Sequence, residues 1–446
     1  MNYLQALDYL NSFLNFERIP FEYQRQFNLK RMKYLLKWFK NPEYSFPTVL
    51  IAGTKGKGST AHFLNQIISQ NSYKTGLYTS PHLTDPRERI RINGRAISKS
   101  DFASVVAKIK KIVEQKRKSI VSYGPITFFE IFTLVAILYF AKSKIELGIF
   151  EVGMGGRLDA TNMLKPLISI ITSISYDHQE HLGNTLTAIA GEKAAIIKRH
   201  SYVISAKQPK EALHVIQREV KRKQAKAYFY GKEFKTAYEK IGSKGSFFDF
   251  QVNGRTLDRF KISMAGEHQI QNAAVALEAV AVLENRYGFP FKGVRIKKAL
   301  KDAFWPGRFE QVNKWGKEWV LDGAHNDASM EVLARTVRSI YRGRPITLII
   351  GTSREKKVED LLKPLLALNP YFIFTKSQNP RAMEPKLILE AAGKLGLKHA
   401  HSATFDLKSA MELARKISSD NAILLITGSL FLVGEAREIL KCPKLI

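Results

Sequence analysis

At 446 residues the chain is too long for one ordinary hydrophobic core, so its length implies two or three domains. Hydrophobic residues make up 45% and charged residues 25%, and the longest apolar stretch, 131–141, is too short to cross a bilayer. Lys and Arg number 70 against 40 Asp and Glu, a net charge of +30 that concentrates anionic small molecules rather than cationic ones.

In chain order, the apolar run 48–52 reads as a buried strand that meets Gly53, with a helix over about 58–70. The next strand is expected at 76–79, followed by helices near 99–118 and 127–142. Strands at 147–152 and 167–174, a helix at 185–198, a strand at 202–205 and a further helix continue the alternation. That rhythm belongs to an α/β architecture with largely parallel sheets. Between 247 and 264 the period shortens towards two, which predicts an antiparallel hairpin around Asn253-Gly254. An alanine-rich helix is expected at 268–285. Trp305-Pro306-Gly307 then interrupts a basic helix, so a boundary is placed there, dividing the chain into 1–304 and 305–446 with the active site in the cleft between. Beyond it, strands are expected at 319–321, 346–350, 371–375 and 423–426. The only cysteine, Cys442, excludes a disulfide framework within one chain; with no basic-then-apolar leader, this favours a cytoplasmic location.

Gly53, Thr54, Lys55, Gly56, Lys57, Gly58, Ser59 and Thr60 lie between a predicted strand and a predicted helix. Glycines let the backbone turn its N–H groups towards a phosphate, and the helix N-terminus adds positive potential. Lys57 can reach terminal phosphates, while Ser59 or Thr60 can bind a phosphate oxygen or Mg²⁺. The loop departs from Walker A spacing: Ile51 stands where that pattern has its first glycine, and Gly58 where it has a hydroxyl. A plain strand-to-helix turn is the alternative, but two lysines and three glycines at this junction favour a nucleotide.

Glu151 ends a predicted strand, where ligands of open parallel sheets bind, and a hard cation takes such a carboxylate with phosphate oxygens. The same position also suits a helix-capping carboxylate. His178 can contact a metal, accept a proton or cap the next helix, and spacing alone favours the structural role. Lys193 as an ammonium is no ligand; only carbamylation would make it an oxygen donor.

Gly53 to Ser59, Thr79-Ser80-Pro81-His82-Leu83 and residues 151–162 resemble folylpolyglutamate synthase and bacterial dihydrofolate synthase, of the Mur ligase superfamily. Arg87-Glu88-Arg89-Ile90, Asp177-His178, Gly191-Glu192-Lys193-Ala194, Trp305-Pro306-Gly307-Arg308 and Asp322-Gly323-Ala324-His325-Asn326 match in the same order. The matches run over almost the whole chain. The resemblance implies an N-terminal P-loop-type domain with a mostly parallel sheet and a smaller Rossmann-like C-terminal domain. It implies that ATP phosphorylates a folate or dihydropteroate carboxylate, to which L-glutamate is then joined. On this basis Lys57 and its loop hold the phosphates, Ser80 and Glu151 bind one Mg²⁺, and His178 a second. Lys193 falls at the family's carbamylated position. Asn272, Arg308 and Asp322 match ATP-contacting positions; Phe16, Glu17, Arg18, Thr127, Phe129, Leu158, Asp159 and Ala160 match the pterin side. His325 and Ser429 fall in C-terminal motifs near the cleft. Lys57, Lys193 and His325 are thereby the expected catalytic residues, and the small-molecule substrates are the expected partners of a monomer.

Arg354-Glu355-Lys356-Lys357 departs from the family's Asp-Lys-Asp segment. Two alternatives compete. A Mur-type peptidoglycan ligase shares the fold, but Phe16-Glu17-Arg18 and the segment 127–130 favour folate. A basic nucleotide-dependent nucleic-acid-binding protein would need a contiguous basic stripe. Instead the cations are scattered, and the clusters at 108–118 and 221–226 are interleaved with apolar residues as solvated helix faces are. Neither nucleic acid nor a membrane is therefore expected to be required.

Overall fold

A computed structural model of the chain describes residues 1–17, 26–397 and 401–443. Its largest sheet has eight strands, in the order Arg95–Ala96, Ile90–Ile92, Thr75–Tyr78, Leu147–Glu151, Thr48–Ala52, Ile168–Ile171, Tyr202–Ser205 and Lys226–Phe229. The six from Thr75–Tyr78 onward are parallel, and the first two form an antiparallel edge. Every residue of Thr48–Ala52 and Leu147–Glu151 is buried, which is why both read as unbroken apolar runs: helices cover a parallel sheet on both faces. One of them, Phe128–Lys142, is apolar nearly all round and correspondingly buried. It begins in a capping box, with the Glu130 N–H donating to Thr127 Oγ1 and the Thr127 N–H to Glu130 Oε2. Glu130 also accepts the buried Arg31 guanidinium at 2.9 Å.

The predicted hairpin is present as Gly245–Val252 and Arg255–Ile262, with Asn253 at φ 49° and Gly254 at φ 77°. A third strand, Phe234–Gly242, precedes it. Sequence periodicity missed this strand because a register shift, with Tyr238 at φ 49°, breaks its alternation. The helix expected at 185–198 ends at Ala194, and the alanine-rich helix extends over Glu267–Tyr287.

The six-stranded sheet of the C-terminal half runs Glu310–Lys314, Lys317–Leu321, Ile423–Thr427, Ile346–Ile350, Tyr371–Phe374 and His401–Ala403. All but its first, antiparallel strand are parallel. The fold is thus the expected mixed α/β architecture, with every strand of the first two sheets preceding Trp305 and every strand of the third following it. The halves meet closely. A Cβ on Gly434, in the helix Leu430–Ile439, would fall 2.5 Å from the carbonyl oxygen of Leu83. Among the described residues no helix is long and apolar enough to cross a membrane.

Candidate active site

A cavity of about 450 Å³ lies where the carboxyl ends of the large sheet's strands face the C-terminal half. The strand Thr48–Ala52 leads through Gly53 into the loop that lines it, and Gly56, at φ 84°, caps the helix Lys57–Gln70. Both glycines are forced by contact as well as conformation. A Cβ at Gly53 would lie 1.9 Å from Thr172 Oγ1, and one at Gly56 2.3 Å from Asn272 Oδ1. The N–H groups of Thr54 and Lys55 donate to the Ser173 carbonyl, at 2.9 and 3.1 Å, and tie the loop to the neighbouring strand. N–H groups in the first turn of the following helix lie outside its own ladder and suit an anion.

Two amines converge behind this loop on one acceptor, the Gly53 carbonyl: Lys57 Nζ at 3.2 Å and Lys193 Nζ at 2.9 Å. Burial, and then the Lys57 charge, bring the Lys193 pKa down to about 7. Lys55 turns instead to Asp177, at 3.0 Å.

Glu151 is 5% exposed, and burial raises its pKa against the opposing pull of Lys57, Arg308 and Arg89. Its carboxylate accepts the Ser80 N–H at 3.2 Å and forms no ion pair among the described residues. A desolvated carboxylate beside a hydroxyl, facing a phosphate loop, suits a hard cation that completes its shell with phosphate oxygens. No cluster of three or more His, Cys, Asp or Glu side chains is arranged for a metal among the described residues, so phosphate oxygens would have to supply part of any shell here. His178, with φ 50°, precedes the helix Gln179–Leu182 but its side chain makes no capping bond. Burial lowers its pKa to about 4 despite Asp177, leaving a neutral imidazole that faces the cavity.

At the other end the cavity becomes aromatic. Phe16 stacks on Phe27 with centroids 5.2 Å apart, and Phe129 lies so near the loop after Glu151 that a Cβ on Gly153 would be 2.6 Å from its Cζ. Asp159 holds that loop in shape: Oδ2 accepts from Gly153 N and Met154 N, while Oδ1 accepts from Thr161 N and Oγ1. Leu158, Asp159 and Ala160 therefore line the wall with Thr127. Glu17 is gripped by the buried Arg89 at 2.7 and 2.6 Å. Arg18 lies outside the described residues.

From the C-terminal half come Arg308, Asp322 and His325. Asp322 accepts from Phe309 N at 2.8 Å and Ala324 N at 2.9 Å, and burial raises its pKa. His325 Nδ1 sits 2.8 Å from the Gly323 carbonyl, an acceptor only, so Nδ1 carries the proton and Nε2 its lone pair. Burial pushes its pKa to about 3, so it is neutral at ordinary pH. Asn272 lines the same end and donates to Gln269 Oε1 at 3.1 Å.

The expected site residues therefore gather around one cavity, with four set back from its surface. Gly53 and Lys193 stand behind the loop, Thr60 is fully buried with an unpartnered Oγ1, and Ser429 uses its hydroxyl to cap the helix Leu430–Ile439. Sequence reasoning missed His268, which lines the cavity with a buried, unpartnered Nδ1, and also Arg381. The only sequence signal for His268 was its place at the start of the helix that carries Asn272.

Residues 102–280 match the Mur ligase middle domain, and residues 307–441 the dihydrofolate synthetase C-terminal domain. The dihydrofolate synthase/folylpolyglutamate synthase of Bacillus subtilis is 34% identical over 414 residues, 93% of this chain and 95% of that protein. Mycobacterium tuberculosis folylpolyglutamate synthase complexed with ADP superposes with a TM-score of 0.90 at 28% identity, covering 99% of this chain and 98% of that one. An FPGS–AMPPCP–folate complex does so with a TM-score of 0.85 at 26% identity, covering 99% and 100%. The chain belongs to the dihydrofolate synthase/folylpolyglutamate synthase family of Mur-type ligases.

Proposed function

We propose that this chain is an ATP-dependent ligase that joins L-glutamate to a folate carboxylate, and that on dihydropteroate it acts as a dihydrofolate synthase. The observation that carries the reading is the single cavity lined at one end by Lys57 and its loop and at the other by Phe16 and Phe129, with Glu151 in the wall between. A flat aromatic substrate among the phenylalanines would present its carboxylate towards the phosphate end.

A carboxylate is a poor acylating group, so ATP converts it to an acyl phosphate, and ADP leaves. Lys57 and the N–H groups of the helix start would offset charge on the transferred phosphoryl, with Arg308 facing it from the C-terminal half. The glutamate amine then attacks the acyl carbon, the C–N bond forms and phosphate leaves. The neutral His325, with Nε2 free of a proton, would receive a hydrogen bond from that amine. Glu151 with Ser80 would hold one Mg²⁺ and His178 a second; bound there, the ions would neutralise phosphate charge. Lys193 would serve as a carbamate that helps to organise the second ion, and its low pKa favours that modification. Division of the chain near residue 305 puts the phosphate loop and Arg308 on different domains, so closure would exclude the water that hydrolyses an acyl phosphate. A monomeric, cytoplasmic enzyme completes the reading.

The test is ADP release from ATP with L-glutamate and either dihydropteroate or tetrahydrofolate. Turnover of both establishes a bifunctional enzyme, and tetrahydrofolate alone narrows it to chain extension. ATP binding with turnover of neither refutes the folate assignment.

A further inference from the structure

A second, smaller cavity of about 40 Å³ adjoins the phosphate end of the first and shares Gly58, Ser80, Glu151 and Arg308 with it. That is room for about three water molecules, too little for glutamate or a nucleotide. Unlike the first, it is also lined by Arg91, from the edge strand Ile90–Ile92, and by Trp305, from the boundary between the halves. Arg91 is 5% exposed. Arg31, Arg89 and Arg437 are buried as deeply, and each is matched to a glutamate: Glu130 at 2.9 Å, Glu17 at 2.6 Å and Glu310 at 2.9 Å. Arg91 has no carboxylate partner among the described residues. Its Nε donates to the Glu88 carbonyl at 2.9 Å, and its guanidinium carbon lies 5.4 Å from the centroid of the Trp305 ring. His62 packs against the same indole, with centroids 4.6 Å apart.

What the cavity lacks is a hydrogen-bond acceptor. The two Nη groups of Arg91 find none among the described residues. Neither does Trp305 Nε1, which sits beside the phosphate loop: a Cβ on Gly58 would lie 3.5 Å from it. Glu88 is in the wall, but four donors already occupy its carboxylate. Its Oε1 accepts from Thr84 N, Thr84 Oγ1 and Asp85 N, and its Oε2 from Leu83 N. Glu151 accepts from Ser80 N and lines the main cavity as well. The guanidiniums of Arg91 and Arg308 balance these two carboxylates, so the unmet donors rather than net charge select the occupant. A buried guanidinium with unpaired donors is costly, and an occupant rich in acceptor oxygens removes the cost. We propose that this cavity binds a small oxyanion, inorganic phosphate, between Arg91, Arg308 and the Trp305 N–H, and so receives the phosphate that ligation releases beside it. The origin of that phosphate rests on the ligase reading; the binding site itself does not.

Equilibrium dialysis with ³²P-phosphate is run on the whole chain saturated with AMPPCP and Mg²⁺, so that nucleotide fills the phosphate loop and only sites outside it are counted. The parent should bind one equivalent. Arg91→Met keeps most of the side chain's length without its donors and should weaken phosphate binding about ten- to a hundredfold, with affinity for AMPPCP unchanged. Trp305→Phe keeps a ring against His62, removes the N–H and should weaken it about three- to tenfold. Melting separates a ligand site from a purely structural arginine. With AMPPCP present, phosphate should raise the melting temperature of the parent but not of Arg91→Met. Without phosphate, Arg91→Met should melt no lower than the parent, because it loses a buried charge that had no partner. No phosphate bound by the parent once AMPPCP is present would leave the cavity to water and overturn the proposal. So would undiminished binding in either variant, and if Arg91→Met does not fold, Trp305→Phe decides alone. Failure of AMPPCP to bind would sink the ligase reading, while loss of phosphate binding in Arg91→Met would still establish the site.

Discussion

Withdrawing dissolved carbon dioxide is the sharpest perturbation of the Lys193 reading. An ordinary lysine titrates near 10.4, so at pH 7.5 only about 0.1% of it is the neutral amine that attacks CO₂. Lys193 is 4% exposed, and burial followed by the Lys57 charge brings it to about 7. At pH 7.5 about three-quarters is then neutral, an enrichment of several-hundred-fold. Carbamylation of the neutral amine forms an N–C bond and releases one proton; counted from the ammonium it releases two and replaces a cation with an anion. The change suits the site, since the Lys57 and Lys193 amines share the Gly53 carbonyl and repel one another as cations. Protein held in CO₂-depleted buffer should lose most of its ligase activity and regain it with bicarbonate. With ¹³C-bicarbonate, NMR should show one carbamate signal that is absent from Lys193→Ala. The signal should grow from pH 6, where about a tenth of the amine is neutral, to pH 8. Activity indifferent to CO₂, together with no labelled carbamate, would refute the reasoning.

Glu151→Gln and Lys57→Ala should each lower turnover by at least about 10²–10³-fold while thermal melting stays near that of the parent; near-normal activity in either removes that residue from the proposed chemistry. Glu278 offers a test of stability. Its Oε2 is buried without a hydrogen-bond partner, and burial, with Glu233 adding to it, raises its pKa to about 7. A raised carboxyl pKa means that the folded chain keeps a proton the unfolded chain has lost, so stability falls as pH rises from about 4.5 through about 7. Glu278→Gln should therefore stabilise by about 3 kcal/mol at pH 8 and only about 1 kcal/mol at pH 5. Urea midpoints that shift equally at both pH values would show that the carboxyl charge is not the cause.

The fold was legible where burial is symmetrical. Thr48–Ala52, Leu147–Glu151 and Ile168–Ile171 lie inside a sheet covered on both faces, and their largely apolar runs, without polar alternation, say so. Edges were harder to read. Ile90–Ile92, Arg95–Ala96 and Lys226–Phe229 lie at the margins of the large sheet, and Glu310–Lys314 and His401–Ala403 at those of the other. Edge strands carry charges that keep them from pairing further, and those charges erase the apolar signal by which a strand is recognised. The short antiparallel strands also bring no helix between them, so the βα alternation passes over them.

The site divides on different lines. Its phosphate loop was legible because the requirement is local: a turn, two lysines and a helix start within nine residues, 52–60. Glu151 was legible because a strand's end fixes where its last side chain goes. What sequence could not supply is the meeting of distant groups. Arg381 reaches Glu17 across 364 residues, and Lys55 reaches Asp177 across 122. The lowered pKa of Lys193 arises the same way, since the lysine of an unremarkable Gly-Glu-Lys-Ala tetrapeptide is brought to about 7 only when the fold buries it beside Lys57. Local sequence thus names the groups proposed to bind phosphate, whereas the charge state of the groups around them is a property of the assembled cleft. Changing the burial around Lys193 should therefore alter its chemistry even with every motif residue left in place.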